Sequence, residues 1–373
     1  MSNKIPFLSL DYQHKEVDKN IRSSIDNVLS NGSFILGKHV ESFEKKFAKF
    51  TGVRHCIGTG NGFDALKISL QSLGIGKGDE VIVPSNTCIP TWIAVSATGA
   101  RVVPVEPDIQ TYNIDPSKIE RAVTSKTRAI VPVHLYGQAC EMNAIMDIAR
   151  RNKLYIVEDN AQGHGATYDG RRTGSFGVVN ATSFYPTKNL GALGDGGAIT
   201  TNDADLAAHI RSFRNYGSPS KNIVREKGIN SRLDELQAAI LEVKLKKLNA
   251  WNNERKAIAK IYRRGLDGID HLALPFVAKN ATHVYHLFVI RTPHRDALAE
   301  YLRKNGIETL VHYPVPPHLQ EAYKDHWFKK GQFPIATGIA DSCLSLPCWP
   351  GMTPAQTTRV VETIRRFFRL NIR

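Results

Sequence analysis

The sequence has few of the features that place a chain of 373 residues in a specialised class. It contains no apolar run near the ~18 residues that a membrane span needs, and residues 1–10 have no long apolar core of the secretory type. It has only five cysteines, an odd number, and none of them forms a Cys-x-x-Cys pair. These absences argue against a disulfide framework and a zinc knuckle, and they predict reduced thiols in a cytoplasm.

Acidic residues are also comparatively few. The chain has 35 of them and 49 basic residues, which gives a net charge of +14. A basic protein attracts anions such as nucleic acid, a membrane surface or a phosphorylated metabolite. The densest basic region, 244–264, has a helical pattern that favours a solvated helix face. No zinc-finger spacing, heptad repeat or RNA-binding signature is present. We therefore predict a phosphorylated small molecule as the partner, and neither nucleic acid nor membrane.

The order of apolar segments predicts an α/β fold. After two helical stretches in residues 1–50, short apolar runs alternate with longer amphipathic ones from about residue 54. Such alternation is typical of a large, mostly parallel sheet covered by helices.

Beyond the alternating region, residues 231–264 form one long helical pattern. It leads to a smaller α+β part with predicted strands near 285–291 and 308–311. The length suggests two domains, which we place at 1–248 and 249–373.

A glycine-rich loop, Gly58-Thr59-Gly60-Asn61-Gly62-Phe63, lies between a predicted strand and a predicted helix. Free N–H groups at a helix N-terminus make a ready anion site. The loop is not a dinucleotide fingerprint, because that pattern needs glycine where Phe63 stands. A phosphate cradle and a tight turn without a ligand both remain open for this loop.

Asp159 follows a buried-type strand and should face the crevice where parallel sheets bind ligands. Its carboxylate could hold a metal, a ribose hydroxyl or a protonated ring nitrogen, and it could also simply cap a helix.

Lys188 follows the next apolar strand, in a loop of small, mostly uncharged residues. Desolvation there would lower the pKa of its amine, as Schiff-base lysines need, although a surface lysine is the ordinary alternative. Ser183 could hold a phosphate through its hydroxyl. A phosphate cradle, an acidic partner for a ring nitrogen and a reactive lysine together specify pyridoxal 5′-phosphate.

Blocks in order along nearly the whole chain resemble the sugar aminotransferases of the DegT/DnrJ/EryC1/StrS family. They are the segment 183–191 around Lys188, Val133-His134-Leu135-Tyr136-Gly137-Gln138, Arg214-Asn215-Tyr216-Gly217 and residues 84–87, 158–165, 194–198 and 230–239. The resemblance implies a fold-type-I, pyridoxal-phosphate-dependent aminotransferase with a large domain and a smaller C-terminal domain. It also implies a homodimer with shared active sites.

The resemblance further implies roles for matched positions. Lys188 would form the internal aldimine and move the proton, and Asp159 would pair with the pyridine nitrogen. The remaining contacts would come from Ala161 against one ring face, Gln162 at the ring hydroxyl, Gly62 and Phe63 N–H groups with Ser183 at the phosphate, and Asn230 at the phosphate of the neighbouring subunit.

The sequence departs from the family pattern beside the cofactor. Cys88 stands where an aromatic residue commonly stacks on the pyridine ring, and Trp92 is either its substitute or a core residue. Asn160 replaces a small apolar residue. We assign Cys88 to the cofactor site, and Tyr185, His312 and Tyr313 to the substrate side. We expect no metal site.

Residues 60–66, 104–108 and 112–116 most resemble enzymes that aminate C3 of dTDP-linked 3-keto-6-deoxyhexoses, usually with L-glutamate as donor. The alternatives are a 4-aminotransferase, a dehydratase whose relatives carry histidine in place of the lysine, and a non-catalytic sugar-nucleotide-binding protein. Lys188 argues against the dehydratase, and the set of Asp159, Ser183 and Lys188 argues against a non-catalytic protein. The sequence leaves open the C4 epimer, the nucleotide and the end product.

Overall fold

The computed structural model describes residues 4–220, 222–326, 328–329 and 331–371. The strands are β1 (His55–Thr59), β2 (Glu80–Pro84), β3 (Arg101–Val105), β4 (Thr127–Ile130), β5 (Tyr155–Asp159), β6 (Thr167–Tyr168), β7 (Arg171–Arg172), β8 (Val179–Ser183), β9 (Gly197–Thr201), β10 (Phe288–Arg291) and β11 (Cys343–Leu346). The helices are α1 (Asp11–Asn31), α2 (Lys38–Thr51), α3 (Gly62–Ser72), α4 (Ile89–Ser96), α5 (Pro116–Ile119), α6 (Met142–Arg151), α7 (Ala204–Phe213), α8 (Glu235–Leu245), α9 (Leu248–Leu266), α10 (Arg295–Lys304), α11 (Pro334–Ser342) and α12 (Pro354–Asn371).

Seven strands form one sheet in the order β1-β9-β8-β5-β4-β2-β3. Strand β9 is antiparallel to both of its neighbours, and the other pairings are parallel. The central strands are buried on both faces, as strands in a helix-covered parallel sheet must be. The predicted α/β fold with a mostly parallel sheet is confirmed.

Local sequence signals set several helix starts. Asp115 precedes Pro116, and its side chain accepts a hydrogen bond from the Ser117 N–H at 2.9 Å. Asn61 caps α3 in the same way, accepting from the Asp64 N–H at 2.7 Å. Both contacts satisfy N–H groups that a helix start leaves without an intrahelical partner.

A second apolar cluster lies on the two-stranded sheet of β10 and β11, with α9, α10 and α12 around it. Ile5 joins this cluster through an isolated bridge to Ile307. Its N–H donates to the Gly306 carbonyl at 2.7 Å. The division at residue 248 stays a prediction.

Two predicted elements of this region are wrong. The helical pattern of 231–264 forms two helices, α8 and α9, separated by a turn at Lys246 and Lys247. The turn lets α8 pack on α1 and α2 while α9 packs on α12. In place of the expected strand at 308–311, the described residues form a single bridge, Leu310 to Ser345, on the edge of β11 opposite β10.

Among the residues that the structure describes, no helix is both long and apolar enough to cross a membrane.

A buried ion pair holds the glycine loop to the helices behind it. Glu44 of α2 and Arg214, which follows α7, are both nearly fully buried, and Glu44 Oε1 lies 2.7 Å from an Arg214 nitrogen. The same oxygen accepts the Gly58 N–H at 2.8 Å, and Arg214 donates to the Gly58 carbonyl. Arg211 also pairs with Glu44. Removing one partner would leave a buried charge uncompensated.

We predict that Glu44→Gln lowers the free energy of unfolding by ~3–5 kcal/mol, the usual cost of breaking a buried pair from one side. Urea denaturation measures it. Glu41→Gln, on the exposed side of the same helix, should stay within ~0.5 kcal/mol of the wild type. Equal effects of the two substitutions would contradict the assignment.

Candidate active site

The predicted site residues gather where three strands end at one edge of the sheet. Strand β5 ends at Asp159 and β8 ends at Ser183. These strands are parallel, with Asp159 opposite Ala181. Gly197, the first residue of β9, pairs with both Ser183 and Thr59 at the end of β1. Backbone pairing between strands therefore fixes where Asp159, Ser183 and Thr59 lie relative to one another.

Asp159 is buried, and its two carboxylate oxygens already have one donor each. Oδ1 accepts the Ala161 N–H at 3.1 Å, and Oδ2 accepts the Thr91 hydroxyl at 2.8 Å. Burial raises the pKa of Asp159, while these hydrogen bonds and the nearby Lys188 charge oppose the rise. Each oxygen can accept a further hydrogen bond, so the carboxylate can still take a cationic N–H donor.

The glycine loop and Ser183 come together as a narrow cradle. A side chain at Gly62 would place its Cβ 2.4 Å from the Ser183 Cβ, and one at Gly197 would lie 2.3 Å from the Asn61 carbonyl oxygen. Only glycine allows these approaches. Gly62 and Phe63 are the first residues of α3, beside this cradle, and a helix start leaves such N–H groups without intrahelical partners.

Lys188 lies in a turn that several buried groups hold in place. Its N–H donates to the Tyr185 carbonyl at 2.8 Å. The next residue, Asn189, donates to Asn252 at 2.8 Å, and Leu190 N–H donates to His164 Nδ1 at 3.1 Å. Burial lowers the pKa of the Lys188 amine, although the Asp159 charge opposes the shift. A lowered pKa makes the neutral, nucleophilic amine more available.

His164 serves this turn as a neutral ring. Burial lowers its pKa to about 3. Because Nδ1 accepts from Leu190, the ring proton sits on Nε2, which lies 2.8 Å from Thr182 Oγ1. His164 therefore positions the turn without adding charge near Lys188.

Gln162 is held from both ends of its amide. Its Oε1 accepts the Tyr136 N–H at 2.7 Å, and its Nε2 donates to the Tyr313 hydroxyl at 3.1 Å. Tyr136 adopts a positive φ of 57° in this tight segment, and its hydroxyl donates to the His312 carbonyl. Two segments far apart in sequence thus meet at Gln162.

Cys88 lies at the start of α4, next to the Tyr313 hydroxyl, with Lys188 and Asp159 close enough to influence it. Burial raises the pKa of its thiol. Trp92 does not stand in for the missing aromatic residue: it is fully buried and packs edge-on against Tyr323, with its Nε1 donating to the Pro84 carbonyl. Of the two readings of Trp92, the core residue is correct.

The three residues predicted for the substrate side differ in exposure. His312 Nδ1 lies 2.8 Å from Ser345 Oγ, and its ring stacks on Phe7. Burial and the Lys188 charge lower the pKa of His312 to about 4, so the ring is neutral at neutral pH. Tyr313 reaches Gln162 as described, while Tyr185 projects outward and is 52% exposed.

Of the residues predicted to contact the cofactor, Asn230 is the one whose side chain is exposed on the surface. It is exposed, and its side-chain amide donates to the Tyr216 hydroxyl at 2.8 Å. The next residue, Ser231, accepts the Gly60 N–H at 3.0 Å and donates to Asp64. Asn230 therefore lies on the surface beside the cradle.

The arrangement fits pyridoxal 5′-phosphate. The glycine cradle with Ser183 suits a phosphate, and the buried Asp159 carboxylate has room for a protonated ring nitrogen. Lys188 lies near Asp159 and can bond to an aldehyde. No group of three or more His, Cys, Asp or Glu residues suited to a metal ion occurs in the described part of the chain.

Sequence reasoning missed the groups that hold these residues in place. Thr91, Tyr136, His164 and Asn189 bond to a predicted site residue or to its turn. Their contacts span distances such as the 68 residues between Thr91 and Asp159. Thr91 sits within a few residues of Cys88, and Tyr136 and His164 lie in blocks that resemble the family, but these signals do not identify the bonding partners.

Comparisons with known proteins agree with this geometry. The model of the DegT/DnrJ/EryC1/StrS aminotransferase family matches residues 15–365. A dTDP-3-amino-3,6-dideoxy-alpha-D-galactopyranose transaminase of Aneurinibacillus thermoaerophilus is 50% identical, with 97% of this chain and 99% of the relative covered. A dTDP-3-amino-3,4,6-trideoxy-alpha-D-glucose transaminase of Streptomyces venezuelae is 47% identical over 98% and 96% of the two chains.

The crystal structure of DesV from S. venezuelae superposes with a TM-score of 0.97 at 47% identity, covering 98% of this chain and 99% of DesV. The resemblance seen in the sequence is thereby confirmed, and the chain belongs to the DegT/DnrJ/EryC1/StrS aminotransferase family.

Proposed function

We propose that this enzyme transfers an amino group from L-glutamate to C3 of a dTDP-linked 3-keto-6-deoxyhexose, with pyridoxal 5′-phosphate as cofactor. Aminotransferase activity and the cofactor follow from the family. The observation that carries the sugar and its position is the 47–50% identity, over nearly whole chains, to two dTDP-3-amino-sugar transaminases. Nothing in the site favours amination at C4.

The bound cofactor supplies an electron-withdrawing ring that delocalises charge from the carbon losing its proton. Lys188 is the residue placed to hold the aldehyde and to carry that proton, because its amine lies near Asp159 and has a lowered pKa. Asp159 keeps the ring nitrogen protonated. A charge pair of this kind at ~4 Å and an effective dielectric of ~20 is worth roughly 4 kcal/mol.

The remaining residues orient and enclose the reactants. Gly62, Phe63 and Ser183 would bind the phosphate, Ala161 would lie against one ring face, and Gln162 would bind the ring hydroxyl. Cys88 and Tyr313 lie next to each other at this space, so a thiol stands where the family pattern commonly has an aromatic ring. His312 and Tyr185 contact the sugar substrate.

Two active sites shared in a homodimer would explain an exposed apolar patch beside the cradle. Phe34, Ile35, Leu193 and Tyr216 are each 44–51% exposed. Phe34 and Leu193 bond to α8 at Glu235 and Gln237, while Tyr216 holds Asn230. Such a patch marks an interaction surface, and it would bring Asn230 to the phosphate of the neighbouring subunit.

The cysteines support a cytoplasmic location. All five are free thiols, and four of them are buried. Free thiols persist where glutathione and thioredoxin keep them reduced.

The function is tested by assaying purified protein with L-glutamate against dTDP-3-keto- and dTDP-4-keto-6-deoxyhexoses. We expect the 3-keto sugar to be used at least ~100-fold more efficiently, because misplacing the reacting carbon by ~1 Å costs about that factor. NMR of the product gives the aminated carbon. Efficient formation of a 4-amino sugar would replace the proposal with the 4-aminotransferase, and no turnover of either sugar would reject both.

We predict that Thr91 positions Asp159 and favours its ionised form. Thr91→Val removes a hydrogen bond to a charged group, worth ~1.5–3 kcal/mol, and should raise the Asp159 pKa further. We expect kcat to fall at least ~10-fold, since ~1.4 kcal/mol is a factor of ten, and the cofactor to bind more weakly.

Thr91→Ser keeps the hydroxyl and should restore both kcat and cofactor affinity. The pH dependence of the cofactor absorbance provides a readout independent of turnover. When Asp159 stabilises the protonated ring nitrogen less, that nitrogen loses its proton at a lower pH. A valine variant with the wild-type spectrum at every pH would contradict the role.

We predict that Lys188→Ala and Asn230→Ala subunits complement each other. Each homodimer should be impaired, and the lysine variant should lose ~10²–10⁴-fold in rate from proton transfer alone. If Asn230 acts across the interface, a mixed dimer contains one site free of both changes. Activity should return as subunits exchange, and exchange without recovery would show that Asn230 acts within its own chain.

A further inference from the structure

A cleft with a volume of about 570 Å³ lies along α9, away from the residues assigned to the cofactor and the substrate. One wall consists of Lys256, Lys260, Arg263 and Arg264. The opposite wall belongs to the segment 277–285 and includes His283 and Tyr285. Among the residues that the structure describes, no acidic one lines the cleft.

The four cations project from one face of α9. Their spacing of four, then three, then one residue puts them on neighbouring turns of the helix, within ~12 Å along its axis at ~1.5 Å per residue. All four are exposed. Among the described residues, none of them belongs to an ion pair. Their mutual repulsion is therefore not offset by neighbouring carboxylates.

His283 adds a hydrogen-bond donor of fixed orientation to the same cleft. Its Nδ1 accepts the Tyr285 N–H at 2.9 Å, and its ring stacks on Tyr285 with centroids 4.0 Å apart. Burial and the Arg263 charge lower the pKa of His283 to about 3, so the ring is neutral. Its single proton is then on Nε2. The side chain is only 6% exposed, so this donor is held rigidly.

Arg263 lies close to the Tyr285 hydroxyl, and its charge opposes the rise that burial causes in the pKa of Tyr285. The cleft thus combines two lysines and two arginines with a histidine donor that Tyr285 holds in place. Several cations, a neutral N–H donor and no carboxylate are the chemistry that recognises linked phosphate groups.

We propose that this cleft binds the phosphate chain of an oligophosphate, either an inorganic one or the triphosphate of a nucleotide, at a second anion site apart from the active site. The four charges match a short polyanion. They are confined to about two helical turns and bounded by the wall at 277–285, which favours a small ligand over an extended nucleic acid.

The experiment is a calorimetric titration of the full-length, cofactor-loaded enzyme with sodium triphosphate at low and physiological salt. Lys260→Gln/Arg264→Gln removes two of the four cations. Lys15→Gln/Lys19→Gln makes the same change in net charge on the exposed face of α1, outside the cleft. We expect the cleft variant to bind triphosphate about tenfold more weakly, which corresponds to ~1.4 kcal/mol, and the control variant to bind it as the wild type does.

Transamination kinetics separate this site from the active site. Both double variants should keep wild-type kcat and KM, and inhibition of turnover by triphosphate, which reports the active site, should be the same in both. A second titration uses dTTP. Equal affinity for triphosphate and dTTP identifies the phosphate chain as the ligand, and tighter dTTP binding identifies the nucleotide.

Three results would overturn the proposal. Equal weakening in both double variants would mean general charge attraction. Unchanged binding in the cleft variant would place the anion elsewhere. Much tighter binding of a single-stranded oligonucleotide, lost in the cleft variant alone, would assign the surface to nucleic acid.

Discussion

The parallel pairing of β5 with β8 is the constraint on which the site depends. It sets Asp159 opposite Ala181, two residues before Ser183, so backbone hydrogen bonds join the strand that ends in the carboxylate to the strand that ends in the glycine cradle. Side chains alternate along a strand, and Glu158 accordingly faces the other way, where its carboxylate accepts the N–H groups of Gly174 and Gly177. The two adjacent acidic residues thus differ in role. Glu158 holds a loop, and Asp159 can accept a hydrogen bond from a ligand.

Burial prepares the site electrostatically before any ligand arrives. It raises the pKa of Asp159 and lowers that of Lys188, while the charge of each group opposes the shift of the other. His164 and His312 are neutral at neutral pH, so they do not compete for the carboxylate. Lys188 is a cationic neighbour of Asp159, and a cofactor with a protonated ring nitrogen would give this carboxylate a second one.

The sequence alone predicts the parts of this protein that depend on neighbours in the chain. The strand ending at Asp159 and the glycine loop before α3 are local patterns, and both appear in the structure. Contacts between distant segments were not predictable, including the Thr91 hydroxyl on Asp159 and the Glu44–Arg214 pair behind the glycine loop. The break between α8 and α9 was missed for the same reason, because partner helices rather than helical periodicity decide where it falls.

The bridge from Ile5 to Ile307 has a consequence for how the protein is made. Residues near Ile5 leave the ribosome long before their partners around 306–312, yet Ile5 belongs to the apolar cluster of the C-terminal part, and Phe7 stacks on His312. The seven-stranded sheet can form before the partner of this segment has been translated. Completion of the C-terminal part must then recruit a strand-like segment translated some three hundred residues earlier. During synthesis that segment is an unpaired edge, open to chaperones or to the same segment of another nascent chain.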